Sequence, residues 1–382
     1  MALLTRYVDH SLSTGNNDGT TTANAWWFLY KATAAMLADS GGAGTATTNQ
    51  YKIYVKASET YGTDGTSPNP AESDDAGHDG AGGDAGAVIY LDTLGGVFTP
   101  NIFEGYHTTP GDGGIVTIDC AYDGANKLAN GIWFNTSAQH HTAFKNFDVK
   151  NASADGGYGG TDADNLTFKN CRFKDNGGSG LTADDTIAAE NCVFDNNGAA
   201  GANVDNTATF VSCIARNNTV IGIEVLSGVK YNCLAYDNGN NEQLKATGHY
   251  WVFGCTIDAN NGNSSECIRQ AGSGGYLHVA NNIVYDAATG ILAAGVLGDI
   301  QISRNCLFNS NTDDASNYPV EYDGGDGAPS TGDGVGNLGH VTGVPGFTGV
   351  YVPGANAQSA GLDAHFTNAF WVSFDAATNP PL

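Results

Sequence analysis

A short motif that recurs every 20 to 22 residues constrains the fold of this chain more than any other feature. Asn-Cys-x-Phe and its close variants place cysteines at Cys171, Cys192, Cys213, Cys233 and Cys255, at intervals of 21, 21, 20 and 22 residues. A regular interval of this length indicates a solenoid, in which each repeat forms one coil stacked on the next. Equivalent side chains then lie about 4.8 Å apart, so the five cysteines are expected to form one internal column.

The cysteine column is predicted to hold buried, reduced thiols that pack as small hydrophobic side chains. Disulfides and a metal site are the alternatives that remain. The chain contains no Cys-x-x-Cys pair of the kind that binds zinc. The motif therefore predicts packing rather than redox or metal chemistry.

The repeat also divides the chain, which is predicted to form one solenoid of about nine coils with a cap at each end. We expect an N-terminal cap over residues 1–50 and a solenoid over residues 51–310. A Gly/Asp-rich surface insertion is predicted at residues 59–87, and a loop-rich cap with many aromatic residues at residues 311–382.

The N-terminal cap is predicted to contain a helix over residues 24–39, with Asn24 as its N-cap. Such a helix would cover the open end of the first coil, where strand edges and apolar side chains are otherwise exposed. Four residues at helical spacing define its predicted inner face: Trp26, Leu29, Thr33 and Met36.

Asparagine-rich turns follow the core strands, as in Asp175-Asn176-Gly177 and Asn196-Asn197-Gly198. Asn and Gly tolerate the left-handed backbone conformation that a sharp corner requires. Because the turns repeat with the coils, their amide side chains are expected to form hydrogen bonds from one coil to the next.

The charge balance limits the classes of partner. The chain has 15 Lys and Arg against 40 Asp and Glu, a formal net charge of −25, which disfavours nucleic acids and anionic membranes. Its N-terminal residues lack the apolar core of a signal peptide, and no stretch approaches 18 apolar residues. We therefore expect a chain made in the cytoplasm without a signal peptide, with no nucleic-acid or membrane partner.

The coil length, the Asn-Cys-x-Phe column and the Asn turns together resemble the right-handed parallel β-helices of the pectate-lyase-like superfamily. Tyr7-Val8-Asp9 followed by Gly15-Asn16-Asn17-Asp18-Gly19-Thr20 is similar to their N-terminal signature, and Pro345-Gly346-Phe347 to their closing segment. The resemblance implies an all-β fold, a single-stranded right-handed parallel β-helix. The superfamily includes polysaccharide lyases, glycoside hydrolases, epimerases and bacteriophage virion proteins, so this fold leaves the function open.

Acidic residues in register near the coil corners are the candidate metal ligands. They are Asp164, Asp184, Asp185 and Asp205. Stacked carboxylates repel one another unless they are solvated, protonated or bridged by a cation. Calcium suits such oxygen ligands, and the resemblance implies a use for it, because pectate-type lyases use calcium to neutralise a uronate. A role of these aspartates in the turns explains the same pattern. No cofactor is therefore required, and calcium is the one candidate cofactor.

No catalytic set is predicted. Asp184, Asp205 and Glu224 include carboxylate pairs of the glycosidase kind, but such pairs arise by chance in a chain with 40 acidic residues. His249 and His278 show no ligand or triad spacing and are predicted to be ordinary surface or turn residues. The arginines occupy different coil positions and do not supply the base that a lyase requires.

Two columns beside the cysteines are predicted to face outwards and to become apolar in the middle coils. An exposed apolar patch over several coils indicates an interface. A bend beside the cysteines would instead turn one column inwards. The predicted interface consists of Val193, Ile214 and Leu234 in the column after the cysteines and of Val211, Tyr231 and Phe253 in the column two residues before them.

These features favour a non-enzymatic structural or adhesive virion protein, such as a bacteriophage capsid decoration or a tail-associated β-helix. Its expected partners are other virion proteins or copies of itself, together with surface polysaccharide. The alternative is a polysaccharide lyase or glycoside hydrolase that acts on an acidic polysaccharide with calcium. The resemblance permits both classes, and the missing catalytic set favours the first.

Overall fold

The computed structural model forms two compact units, Met1–Ala188 and Ala189–Leu382, each of which is described by itself. The described residues are 2–41, 47–57, 60–62, 87–91, 100–121, 127–134, 141–160, 165–184, 186–239, 242–259, 266–272, 275–285, 289–294, 299–303, 306–308 and 320–323.

The first unit begins with β1 (Leu3–Val8), a 3-10 turn (Thr22–Asn24) and the helix α1 (Leu29–Ser40). Short strands make up the rest of its regular structure. They are β2 (Gln50–Lys56), β3 (Thr60–Gly62), β4 (Ala87–Leu91), β5 (Asn101–Tyr106), β6 (Val116–Asp119), β7 (Asn130–Phe134), β8 (Thr142–Lys145), β9 (Phe147–Lys150), β10 (Gly157–Gly159), β11 (Leu166–Lys169), β12 (Arg172–Lys174) and β13 (Leu181–Ala183).

The strand β14 (Ile187–Glu190) includes the division between the units, and the regular structure described in the second unit consists of strands. They are β15 (Val193–Asp195), β16 (Ala202–Val211), β17 (Ile214–Arg216), β18 (Ile223–Tyr231), β19 (Leu234–Tyr236), β20 (Leu244–Ala246), β21 (Tyr250–Phe253), β22 (Thr256–Asp258), β23 (Glu266–Gln270), β24 (Tyr276–Ala280), β25 (Ile283–Tyr285), β26 (Thr289–Ala294), β27 (Asp299–Ser303), β28 (Cys306–Phe308) and β29 (Val320–Asp323).

Parallel pairing between strands one coil apart defines the architecture of each unit. In the first unit β8 pairs with β11, which sets Phe144 opposite Phe168. In the second unit β17 pairs with β19, which sets Ala215 opposite Ala235. Where the connections are described, the parallel strands are joined by turns without a covering helix, which is the arrangement of a β-helix. The prediction of an all-β parallel β-helix is therefore confirmed.

Aromatic rings fill the interior of the first unit and stack from coil to coil. The ring centroids of Phe103 and Phe144 lie 5.0 Å apart, and those of Phe144 and Phe168 lie 5.8 Å apart. All three side chains are fully buried. Because burying one such side chain contributes roughly 1.5 to 3 kcal/mol, this column stabilises the coil stack.

The cysteines of the repeat form the predicted internal column, which the second unit shows from Cys192 to Cys255. The seven cysteines whose side chains the structure describes carry reduced thiols and are buried. The Sγ atom of Cys213 lies 3.4 Å from the carbonyl oxygen of Val211 and 3.5 Å from that of Ala189. The prediction of reduced, buried thiols is confirmed for these seven residues.

Thiol reactivity gives a direct test of this packing. We expect all eight cysteines of the chain to react with a thiol reagent after unfolding without reductant, and the buried ones not to react in the native state. Burial raises the pKa of the thiols of Cys120 and Cys213, and the thiolate is the reactive form. Fewer than eight reactive thiols in denaturant would contradict the assignment and would indicate a disulfide.

The corners of the coils have the predicted asparagine chemistry. Asp175, Asn196 and Asn217 begin the turns that follow the core strands and have positive φ angles of 56°, 54° and 54°. Asparagine adopts this left-handed conformation more readily than most residues. Each of these corners reorients the chain immediately after its core strand.

A second set of amides forms a buried ladder in the second unit. The Nδ2 atom of Asn197 donates to Oδ1 of Asn218 at 2.8 Å, and Nδ2 of Asn218 donates to Oδ1 of Asn238 at 2.7 Å. Asn238 in turn donates to Oε1 of Gln243 at 2.7 Å. The expected amide bonding from coil to coil is thus confirmed, and the four side chains are buried.

The helix of the N-terminal cap begins later than predicted. α1 starts at Leu29, with Phe28 as its N-cap, rather than at residue 24. The backbone of Trp26 is held instead by β1, because its N–H donates to the carbonyl of Tyr7 and its carbonyl accepts from Asp9. The inner face is close to the prediction, since Leu29, Ala32, Thr33 and Met36 are buried. No helix in the described part of the chain is long and apolar enough to cross a membrane.

The structure describes only a small part of two further predicted segments, the insertion and the C-terminal cap. The predicted insertion lies mostly outside the described residues, which resume at β4, and so does the predicted C-terminal cap apart from β29. This strand pairs in parallel with β26, with Val320 opposite Ile291, so strand pairing continues beyond the predicted boundary at residue 310. Cys306 pairs with Ile283, one position after the cysteine column, so its Asn-Cys-x-Phe motif is one residue out of register.

Candidate functional site

Eight outward-facing side chains of the second unit form a surface that we call the outer aromatic face. The strands β18, β21 and β24 lie side by side and alternate between buried and partly exposed residues. Because successive residues of a strand point to opposite faces, one set fills the core and the other covers the surface. The outer aromatic face consists of Leu226, Val229, Tyr231, His249, Trp251, Phe253, Tyr276 and His278.

The rings of this face contact one another across the coils. His249 and Tyr276 are stacked, with ring centroids 4.5 Å apart and planes inclined by 21°. Trp251 and His278 meet edge to face at 6.1 Å. Tyr231 and Tyr276 keep 42% and 43% of their surface exposed. The result is a partly exposed platform of aromatic and imidazole rings.

The buried residues between the rings fix the platform in place. Tyr250 lies opposite Leu277, and Val252 lies opposite Val279 on the inner face, where all four are fully buried. This register sets Trp251 opposite His278 on the outer face. A slip of one residue would exchange the two faces, so the core packing determines which rings are presented.

One of the two predicted interface columns is not exposed. Val193, Ile214 and Leu234 are buried and pack with Tyr236 as one cluster. The prediction of an exposed surface is therefore wrong for these three residues, and the alternative of a buried column is confirmed. Beside them the guanidinium group of Arg216 donates to Oδ2 of Asp195 at 2.7 Å and to the Tyr236 hydroxyl at 3.0 Å.

The other predicted column faces outwards, as expected. Tyr231 pairs with Val211 on one side and with Phe253 on the other. Tyr231 is exposed, while Val211 and Phe253 are half-buried. Tyr231 and Phe253 belong to the outer aromatic face, and the use of this column as an interface stays a prediction.

The predicted metal ligands do not form a site in the described residues. Asp164 and Asp185 lie outside them, Asp205 is exposed on β16, and Asp184 is half-buried. The described residues contain no group of three or more His, Cys, Asp or Glu side chains placed to hold a metal ion. Because two of the four predicted ligands lie outside the described residues, the calcium hypothesis stays a prediction.

A charged row lies on the outward face of β18, β20 and β23. Glu224 is opposite Lys245, and Lys245 is opposite Arg269. The Nζ atom of Lys245 lies 2.6 Å from Oε1 of Glu224, and Nη1 of Arg269 lies 2.6 Å from Oε1 of the buried Glu242. Arg269 also lies 3.7 Å from Glu266. Both cations are thus compensated within the protein.

One lysine has a pKa suited to a general base, but it lies in the interior. Lys230 is fully buried on the inner face of β18, between Phe210 and Val252. Burial lowers the pKa of its amine to about 7. The Nζ atom lies 4.9 Å from the centre of the Phe210 ring and 5.2 Å from that of Tyr250. A polysaccharide on the outer surface cannot reach this amine.

Four ring-bearing members of the outer aromatic face are not predicted from the sequence, and neither are Leu226 and Val229. His249, Trp251, Tyr276 and His278 were not singled out as a site, and the two histidines were predicted to be ordinary surface or turn residues. The alternation in Tyr250-Trp251-Val252-Phe253 marks one outward set. Its match in the next coil is hidden because Trp251 and His278 are 27 residues apart, outside the regular interval.

Comparisons with known proteins agree with this architecture. A family model described as a right-handed β-helix region matches residues 110–242, and no curated protein sequence matches the chain. Together with the parallel pairing, the family-model match identifies a right-handed parallel β-helix.

Several solved structures are similar in fold. The pectate lyase Pel9A is similar over 80% of this chain and 78% of its own, with 15% identity and a TM-score of 0.51. A rhamnogalacturonan lyase covers 79% of this chain and 87% of its own at 15% identity and a TM-score of 0.47. The A-module of the Azotobacter vinelandii mannuronan C-5 epimerase AlgE4 covers 79% and 91%, also at 15% identity and a TM-score of 0.47. At this level of identity the likeness to Pel9A shows the fold alone.

Proposed function

We propose that this β-helix is a non-enzymatic structural or adhesive protein that binds surface glycans on its outer aromatic face. The observation that carries the proposal is the stacked pair of His249 and Tyr276 beside Trp251 and His278. The face of a pyranose ring that carries its C–H groups is apolar, and it packs on exposed aromatic rings through the hydrophobic effect.

The geometry of the face supports a polymeric ligand. Ring-bearing residues occupy three neighbouring strands, and adjacent strands lie about 4.8 Å apart. Tyr231, Phe253 and Trp251 extend the surface beyond the stacked pair. Several weak ring contacts along one polymer add up to useful affinity when the sites are held rigidly. The buried core beneath them supplies this rigidity.

The setting that we propose is a bacteriophage virion, with the chain as a capsid decoration or a tail-associated protein. The net charge of −25 keeps such a protein away from nucleic acid, and the reduced cysteines suit assembly in a host cytoplasm. Binding of the chain to isolated capsids or tails in co-sedimentation is the expected result. No affinity for either, combined with a strictly monomeric state in light scattering, would count against this setting.

Substitution of Trp251 tests the glycan-binding surface. The protein is expected to bind at least one member of a panel of purified bacterial surface polysaccharides in affinity electrophoresis. Trp251→Ala is expected to weaken that binding about tenfold, as truncation of a central aromatic contact commonly does. The face is outward, so the variant is expected to fold.

Trp133 provides the control, because it is a half-buried tryptophan on the outward side of β7 in the first unit, where its ring meets those of Tyr90 and Tyr158 edge to face. Trp133→Ala is expected to leave glycan binding unchanged. An equal loss in both variants would contradict the assignment of glycan binding to the outer aromatic face. Release of unsaturated product from a polyuronate, followed by absorbance with calcium present, would overturn the non-enzymatic part of the proposal.

A further inference from the structure

The charges beside the outer aromatic face restrict the chemistry of its ligand, given the glycan binding proposed above. Acidic glycans are recognised by cationic side chains that are free to pair with a carboxylate. The charged row closest in sequence to the platform contains two cations, Lys245 and Arg269, and three acidic residues, Glu224, Glu242 and Glu266. The row is therefore negative overall.

Neither cation can turn to a ligand without a cost inside the protein. Lys245 holds Glu224 at 2.6 Å. Arg269 holds Glu242 at the same distance, and the side chain of Glu242 is only 6% exposed. A buried carboxylate that loses its counter-charge is strongly destabilised. Arg269 is thus committed to Glu242.

The charge of the whole chain also disfavours an acidic ligand. Its net charge of −25 repels an anionic polymer at a distance. The outer aromatic face itself offers rings, imidazoles and aliphatic side chains, and no lysine or arginine belongs to it. The apolar faces of sugar rings meet these groups without any need for charge.

We infer that the outer aromatic face binds an uncharged glycan, such as a glucan, mannan or galactan, and discriminates against polymers of uronic acids. The rings hold the sugar faces, while the paired row of Glu224 and Lys245 excludes carboxylates. Because no charge is exchanged on binding, the affinity does not depend on salt.

Affinity electrophoresis and calorimetry with defined polymers test this inference. The probes are dextran, yeast mannan and a neutral galactan on one side and polygalacturonate and alginate on the other, at about 20 mM and about 300 mM salt. We expect at least one neutral polymer to bind at least about tenfold more tightly than either polyuronate. We also expect its dissociation constant to change less than about twofold with salt.

A variant that frees one cation gives a positive test. Glu224→Gln removes the partner of Lys245 and is expected to increase binding of polygalacturonate at least about threefold at low salt, with no change for the neutral polymer. Stronger binding of a polyuronate than of every neutral polymer by the native chain would overturn the inference and leave the proposed function standing. No binding of any polysaccharide would overturn both.

Discussion

Replacing Lys230 with methionine is expected to raise the free energy of unfolding by about 4 kcal/mol near pH 6, and by less than about 1 kcal/mol near pH 10. The native amine is fully buried, and its Nζ atom has no hydrogen-bond partner within the described part of the chain. Methionine has a similar length and suits an apolar interior.

The sign of the pH dependence follows from the two states of the amine. In the unfolded chain the lysine holds its proton below its ordinary pKa of 10.5, whereas in the folded chain it does so only below about 7. Between these values the unfolded chain binds more protons, so the free energy of unfolding of the native chain rises with pH. The groups around the amine are Tyr250, whose pKa is raised by burial, and the thiols of Cys213, Cys233 and Cys255.

Urea unfolding at several pH values measures this effect. Lys245→Met is the matched control, because Lys245 lies on the outer face and pairs with Glu224. An exposed pair of this kind contributes at most about 1 kcal/mol. A gain for Lys230→Met that is the same at pH 6 and pH 10, or a loss at both, would contradict a neutral buried amine.

Replacing Asn218 with leucine is expected to lower the free energy of unfolding by about 4 kcal/mol, because it interrupts the buried amide ladder. The Nδ2 atom of Asn218 donates to Asn238 at 2.7 Å and to the carbonyl of Phe194 at 3.1 Å. Its Oδ1 atom accepts from the backbone N–H of Asn197 at 3.1 Å and from the side chain of Asn197 at 2.8 Å. Leucine leaves these buried partners without their bonds.

Thr219→Ala is the control for the ladder, since Thr219 is the exposed neighbour of Asn218 and its hydroxyl donates to the carbonyl of Asn197 at 3.2 Å. Its loss is expected to cost less than about 1 kcal/mol. Equal effects of the two substitutions in denaturant unfolding would show that the ladder contributes no more than a surface hydrogen bond.

The positions of the buried residues can be predicted from the sequence, because the packing of the core repeats with the coils. The cysteine column and the Asn turns recur at nearly constant intervals, so one aligned motif places many residues at once. The late start of α1 could not be predicted in this way. A backbone bridge between Trp26 and β1 overrides helical spacing there, and such a tertiary contact has no local signal.

The exposure of the outward residues was harder to predict. The alternation along a strand indicates that a residue faces outwards, but it does not indicate whether another part of the protein covers that residue. Val193, Ile214 and Leu234 follow the expected outward pattern and are nevertheless buried with Tyr236. Tyr231 follows the same pattern and is exposed. The pairing of Trp251 with His278 cannot be predicted from the repeat for a related reason, because these two residues are 27 positions apart and the cysteines recur every 20 to 22.

The alternation of inward and outward residues in β21 and β24 assigns stability and surface chemistry to different side chains. Inward residues such as Val252 and Val279 are fully buried and hold the register, whereas their neighbours Trp251 and His278 are half-buried and face outwards. The outward positions on neighbouring strands are therefore about 4.8 Å apart. Substitutions at these positions change the surface while the buried core is retained. Selection for the recognition of a new surface can therefore act on single outward residues while the β-helix scaffold stays the same.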